Sequence, residues 1–281
     1  MQKVLFHLLI FILSKLSLRA VHNIGYYLGN LYFSLNKRNY DLLKKNLLSS
    51  NIFSEKDIEK EVKKNIGELG KSIFESLFIW GSSQESILKY VKKVNGLDCI
   101  KKAEKKGKGI IFLTPHLGCF EITSIFYGST NPITVMYRKA RKVWMSELMI
   151  KGRKKGQVDL AAADIRGIKK LLFTLKKGQA VGILPDQVAD KGQGESASFF
   201  GRPAYTMVLV NKLINKTNAS VIMAYGERLE HGGGFIIHAE EINKKNISTP
   251  ADLNGHVERI VRKCPSQYFW SYDRFKKVKN Q

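Results

Sequence analysis

From residue 109 onward, short apolar runs rich in β-branched residues alternate with amphipathic stretches, and this alternation limits the possible folds more than any other feature. GIIFL (109–113), ITVMY (133–137), AVGIL (180–184), SVIMAY (220–225) and FIIHA (235–239) have the length and composition of strands. Residues 118–127, 143–154, 165–176, 205–217 and 250–263 have the spacing of helices. Strands alternating with helices predict an α/β fold, a mixed central sheet flanked by helices. Residues 231–234 (HGGG) read as a hairpin turn between the last two strands, and residues 192–198 (GQGESAS) read as a polar loop. In such sheets ligands gather beyond the carboxyl ends of the strands, so the residues just after GIIFL and AVGIL come first as site candidates.

The amino-terminal part is different. Residues 36–93 alternate apolar and charged positions at helical spacing and read as two or three amphipathic helices, with Ser54 and Asp57 forming a helix-start signal. Residues 4–13 are VLFHLLIFIL, with Lys3 before and Lys15 and Arg19 after, and no acidic residue precedes Asp41. The run is shorter than the roughly 18–20 residues of a clean membrane span. It fits a signal-peptide core, but no small-x-small cleavage site follows. A basic, aromatic, apolar segment of this kind lies in, or just enters, a membrane interface. The expectation is an amino-terminal helical membrane anchor over residues 1–35 and a single α/β domain over 36–281. The bland alternative is a buried first helix of a soluble domain.

The 281 residues include 47 Lys+Arg against 24 Asp+Glu, a formal charge of +23. With 44% apolar residues, general disorder is excluded. The charge calls for an anionic partner: nucleic acid, an acidic protein or a phosphate-bearing membrane. Residues 101–108 hold five Lys and one Glu, and 138–155 hold eight Lys/Arg and one Glu. No helix-turn-helix, RNA-recognition or zinc pattern accompanies this charge, so a basic nucleic-acid-binding protein is the weaker reading. The three cysteines make no disulfide framework, and His231, His238 and His256 have no ligand spacing, so no metal is expected.

After GIIFL comes Thr114-Pro115-His116-Leu117-Gly118-Cys119-Phe120-Glu121. Pro115 ends the strand and Gly118 permits a tight turn into the next helix. Six residues are enough to bring Glu121 back to His116. A carboxylate beside an imidazole fixes its tautomer and stabilises the imidazolium, which equips His116 as a general base for a hydroxyl. Cys119 is a poor rival nucleophile, three residues from His116 on a turn.

This box resembles the H-x4-E/D box of the lipid A late acyltransferases, the lauroyl/myristoyl acyltransferases of the wider lysophospholipid-acyltransferase-like group. Further segments follow in the order of that family: Val135–Arg138, Arg153 in G-R-K-K-G, Ile183–Gln187 with Asp186, Phe199–Ala204, then P-x-Q-Y-x-W at Pro265–Trp270 and R-F-K at Arg274–Lys276. Cys119-Phe120 stands where the family more often has Asn-Trp, and Tyr272-Asp273 where it has His-Arg. The resemblance covers nearly the whole chain. It implies transfer of a fatty acyl group from acyl carrier protein, the acyl donor, to a hydroxyl of a lipid A precursor, with no cofactor. His116 would be the general base oriented by Glu121; Arg153, Asp186 and Arg138 would be substrate-binding residues. Backbone amides near Gly118, or an arginine, would hold the oxyanion. The implied partners are acyl carrier protein, the precursor glycolipid and the anionic inner membrane, on its cytoplasmic side. The alternatives are an acyltransferase on another lysolipid or an amino-acid lipid, and a hydrolase that uses the same dyad on water.

Overall fold

In the computed structural model, which describes residues 2–277, the amino-terminal amphipathic stretches become two helices, α1 (Gln2–Lys15) and α2 (Leu18–Leu35). Ser17 caps α2 by accepting a hydrogen bond from the Ala20 amide. Next come α3 (Lys37–Leu48), the long α4 (Ile58–Gly81) and the short α5 (Gln84–Leu88). Ser54 and Asp57 do bond to each other, side chain to side chain and hydroxyl to amide, just before α4. In α4 the apolar residues Ile58, Val62, Ile66 and Leu69 fall three or four apart and are all buried. α2 crosses α4 where Gly25 meets Gly70; a Cβ on Gly70 would stand 2.0 Å from the Gly25 carbonyl oxygen, so the crossing needs glycine.

The α/β part then unfolds in order: β1 (Val91–Asn95), α6 (Leu97–Lys105), β2 (Ile110–Leu113), α7 (Phe120–Tyr127), β3 (Ile133–Tyr137), α8 (Val143–Arg153), β4 (Val158–Ala162), α9 (Ile165–Lys176) and β5 (Ala180–Ile183). After these come β6 (Gly194–Phe199), β7 (Arg202–Met207), α10 (Leu209–Thr217), β8 (Ser220–Arg228), β9 (Phe235–Ile242) and α11 (Pro250–Val261). Seven strands form one sheet in the order β1-β9-β8-β2-β5-β3-β4, parallel except where β8 meets β9. β6 and β7 form a separate antiparallel hairpin. The central strands β2 and β5 are buried throughout, as strands covered on both faces must be.

The five expected strands are all present, and 231–234 is the hairpin connection between β8 and β9. Two strands of the seven-stranded sheet escaped the sequence pattern, β1 (VKKVN) and β4 (VDLAA), and they are its two edges; the hairpin β6–β7 escaped it as well. Edge strands carry charge that discourages pairing with other chains, and that same charge hides their apolar alternation. The expected polar loop at 192–198 is corrected: Gly194–Phe199 is β6, whose backbone groups are satisfied by β7. For the same reason the helix expected over 205–217 begins only at Leu209.

The amino-terminal segment expected to attach at a membrane interface is helical, as α1 and α2. Among the described residues, no helix is long and apolar enough to cross a membrane. α1 has 14 residues. One side of it packs into the protein, with Ile10 and Leu13 buried alongside Leu77 and Phe78 of α4. Val4, Leu5, Leu8, Phe11 and Ile12 remain exposed on the other side.

A buried charge cluster ties these helices to the sheet. Arg228, at the end of β8, grips Glu75 of α4 through Nε and Nη2 at 2.5 and 2.6 Å, and its Nη1 reaches Glu68 at 2.6 Å. His22 of α2 bonds the same Glu75. Burial alone would raise the Glu75 carboxyl, but the Arg228 charge and its hydrogen bonds prevail and hold it at about 2. Removing one member of such a pair leaves the other charge buried without a partner, so Glu75→Gln should cost about 3–5 kcal/mol in denaturant unfolding. Because the folded Glu75 titrates below its ordinary 4.5, its stabilisation is present above that value and is lost as pH falls toward about 2. Stability of the Glu75→Gln variant should therefore fall less steeply over that acid range than that of the natural chain.

Candidate active site

The site is built by one register. β2 and β5 are parallel neighbours with Leu113 opposite Ile183, and the ladder extends one step as the Thr114 amide donates to the Ile183 carbonyl. Each strand then ends at a proline, Pro115 or Pro185, and the residue after it is His116 or Asp186. The two side chains emerge side by side. His116 Nδ1 lies 2.8 Å from Asp186 Oδ1, and the His116 amide donates to Asp186 Oδ2 at 2.9 Å. An ionised carboxylate only accepts, so Nδ1 carries the hydrogen and Nε2 is the accepting nitrogen, engaged here by the Gln187 side chain. The Gln187 amide nitrogen sits 3.2 Å from Nε2. Asp186 is buried, which pushes its carboxyl up, but the His116 charge and two hydrogen bonds outweigh this and keep it below its ordinary value. The pair is thus an oriented imidazole backed by a carboxylate.

The expected contact between Glu121 and His116 is corrected by this geometry. The turn 116–119 does not curl back on itself, because other segments pin it. Gly118, at φ +57°, donates its amide to Gln267 O at 3.1 Å, and the Cys119 amide donates to Gly226 O at 2.8 Å. A Cβ on Gly118 would stand 2.0 Å from the Gly226 oxygen, so only glycine fits there. α7 therefore begins at Phe120 and carries Glu121 toward α8. There Arg153 Nε lies 2.9 Å from both carboxylate oxygens and Nη2 2.6 Å from Oε1, a bidentate pair. The indole nitrogen of Trp80 adds a bond to Glu121 at 3.3 Å. Glu121 orients Arg153, and Asp186 orients His116.

Both pairs face one cleft of about 270 Å³, whose lining includes His116, Arg153, Arg138 and Gln187 with apolar Met136, Met149 and Leu184. Phe120 and Phe269 flank the His116 ring, with centroids 5.0 and 6.1 Å away. Arg138 sits at the mouth, half exposed, bonded to Asp190 at 3.1 Å. The structure thus brings His116, Arg153 and Arg138 to one cavity, with Asp186 behind His116 and Glu121 behind Arg153. The amides near Gly118 are already engaged, whereas Arg153 Nη1 makes no hydrogen bond among the described residues. Cys119 is buried outside the cleft, and burial pushes its thiol well up, which disfavours a thiolate. Among the described residues no group of three His, Cys, Asp or Glu side chains converges as metal ligands.

Gln187, Trp80 and Tyr268 are the participants that sequence reasoning missed. Tyr268 is buried near Asp186, and burial with that neighbouring charge raises its hydroxyl well above the ordinary value. A usable signal for the His116–Asp186 pair did exist, since both strands end in proline followed by a titratable residue. The carboxyl-terminal P-x-Q-Y-x-W segment also gains a physical meaning. Gln267 bonds both backbone groups of Arg228 through its side chain and Gly118 through its carbonyl; the Phe269 amide donates to His116 O at 3.1 Å. Asn65 of α4 in turn holds the Ser266 and Tyr268 carbonyls. The segment is a clamp over the His116 turn.

A strand-end His–Asp pair stands beside a guanidinium–carboxylate pair in a cleft with apolar walls. Comparison with known proteins narrows this. The family model described as bacterial lipid A biosynthesis acyltransferase matches residues 2–277, and the chain belongs to that family. It is 24% identical over 247 residues to the lipid A biosynthesis palmitoleoyltransferase of Escherichia coli K12, covering 85% of this chain and 79% of that protein. To the lauroyltransferase of the same organism it is 25% identical over 266 residues, covering 92% of this chain and 85% of that protein. The protein is an acyltransferase of lipid A biosynthesis.

The pairing makes Asp186 the orienting carboxylate. Asp186→Asn should keep the fold, by circular dichroism and thermal melting, yet lower kcat for acyl transfer about 10²–10⁴-fold.

Proposed function

We propose that this chain moves a fatty acyl group from the thioester of acyl carrier protein to a hydroxyl of a lipid A precursor on the cytoplasmic side of the inner membrane. The observation that carries the reading is the His116–Asp186 pair, which presents Nε2 to a cleft that also contains Arg153. His116 takes the proton from the acceptor hydroxyl as its oxygen attacks the thioester carbonyl. The tetrahedral intermediate carries an oxyanion, and Arg153, held by Glu121, donates to it. Collapse breaks the carbon–sulfur bond, and the thiolate leaves with the proton from the His116 imidazolium. No cofactor and no covalent acyl-enzyme are needed. Glu121 serves here as a positioning residue for Arg153, and Arg138 at the mouth meets a phosphate or the carrier's acidic surface.

Two further features support this reading. Arg138 lines the cleft, and Lys139, Arg141 and Lys142 follow it in the segment after β3, a cationic stretch suited to an acidic carrier. Residues 1–35 supply the membrane attachment and 36–281 the catalytic body. The exposed apolar stripe of α1 lies in the interface rather than across it, with the exposed Lys15 at its end toward anionic headgroups.

Incubating the purified protein with acyl carrier protein loaded with a fatty acid and a lipid A precursor should add one acyl group to the precursor by mass spectrometry. Free fatty acid in place of that product would instead mark a hydrolase. His116→Ala, still folded, should abolish the added mass; persistence of the product would falsify the general-base assignment. Membrane attachment is tested separately. Leu8→Glu and Phe11→Glu change exposed positions. Each should weaken co-sedimentation with phosphatidylglycerol vesicles about tenfold or more, since burying such a side chain is worth about 1.5–3 kcal/mol. Unchanged sedimentation would place the attachment elsewhere.

A further inference from the structure

A second cavity lies on the other side of the catalytic histidine. A groove of about 410 Å³ opens between α2 and α4, walled by Leu28 and Tyr32 of α2 and by Ile73 and Phe74 of α4, and closed at one end by Phe269. None of its lining residues lines the catalytic cleft. Leu28 is 46% exposed and Ile73 53%, although both are large and apolar. The groove continues into the exposed stripe of Tyr27, Leu31 and Leu35 on α2. A continuous apolar surface of this kind needs a covering. At its far end the exposed Lys37 and Arg38 begin α3, so the groove combines an apolar trough with a cationic rim. That combination fits a lipid with an anionic headgroup.

Phe269 joins this groove to the chemistry. One ring both lines the groove and lies 6.1 Å from the His116 ring, and its amide holds the His116 carbonyl. We propose that the groove between α2 and α4 holds an acyl chain that the acceptor glycolipid already carries, while the hydroxyl of the same molecule reaches His116 across Phe269. The proposal rests on the acyl-transfer reading above and adds a place for the acceptor. The cleft then takes the thioester, and the acceptor approaches from the apolar side. Two substrates with long chains would otherwise compete for a single cavity.

The test is made in detergent micelles, so that bilayer attachment plays no part. Ile73→Asp puts a carboxylate in the trough that an acyl chain would have to desolvate, and it should raise the acceptor KM about tenfold or more. The donor KM and the kcat at saturating acceptor should stay within about twofold. Phe173→Asp, an equally exposed apolar position on α9, is the control and should leave all three unchanged. A lipid A precursor carrying a diazirine in one acyl chain, photolysed on the wild-type protein, should label peptides of α2 and α4. An unchanged acceptor KM in Ile73→Asp, an equal shift in Phe173→Asp, or label confined to the catalytic cleft would overturn the proposal. Absence of any acylated product from the wild-type chain would instead strike the acyl-transfer reading, and the labelling map would still decide whether the groove holds a chain.

Discussion

The parallel pairing of β2 with β5 is the constraint on which the site depends. With Leu113 opposite Ile183, the residues three positions beyond each strand lie level with one another, and they are His116 and Asp186. A slip of one residue would separate them and turn the buried faces of both strands over. The pinned turn at Gly118 does the complementary work. By fixing the chain between Gly226 and Gln267 it keeps Glu121 away from His116 and delivers it to Arg153. His116 and Arg153 therefore each have their own carboxylate.

The pattern extends to the other buried charges. Glu75 is matched by Arg228 and His22, and Asp186 by His116. A carboxylate removed from water is costly unless charge or hydrogen bonds replace its hydration: Glu75 has the Arg228 guanidinium, and Asp186 accepts from the His116 ring and amide. The excess of 47 Lys+Arg over 24 Asp+Glu is thus a property of the surface. On the function proposed above, the surface charge serves encounter with anionic partners, while the buried pairs serve position.

The amino-terminal helices have two faces with different duties. Their inner face is part of the protein: Leu13, Leu18 and Val21 are buried, and His22 joins the charge cluster that reaches β8. Their outer face is apolar and exposed. This two-faced helix of 14 residues is the feature on which the proposed interfacial attachment rests, and such an attachment needs no crossing length.

Much of the architecture was legible in the residues. The five interior strands announce themselves because strands buried on both faces must be continuously apolar. β1 and β4 do not, because lysines and an aspartate at the sheet edges break the pattern, and β6 looks like a loop because its glycine and serines say nothing of the partner that pairs with it. Local spacing places His116 at a strand end with Glu121 close by in sequence, and the family resemblance marks Arg153, Asp186 and Arg138 as candidates, because both are read one segment at a time. Which carboxylate pairs with His116 and which with Arg153 is settled by the folded chain. Partners separated by 70 residues in one pair and 32 in the other are chosen by strand register and by a pinned turn, and neither is visible in any single stretch of chain.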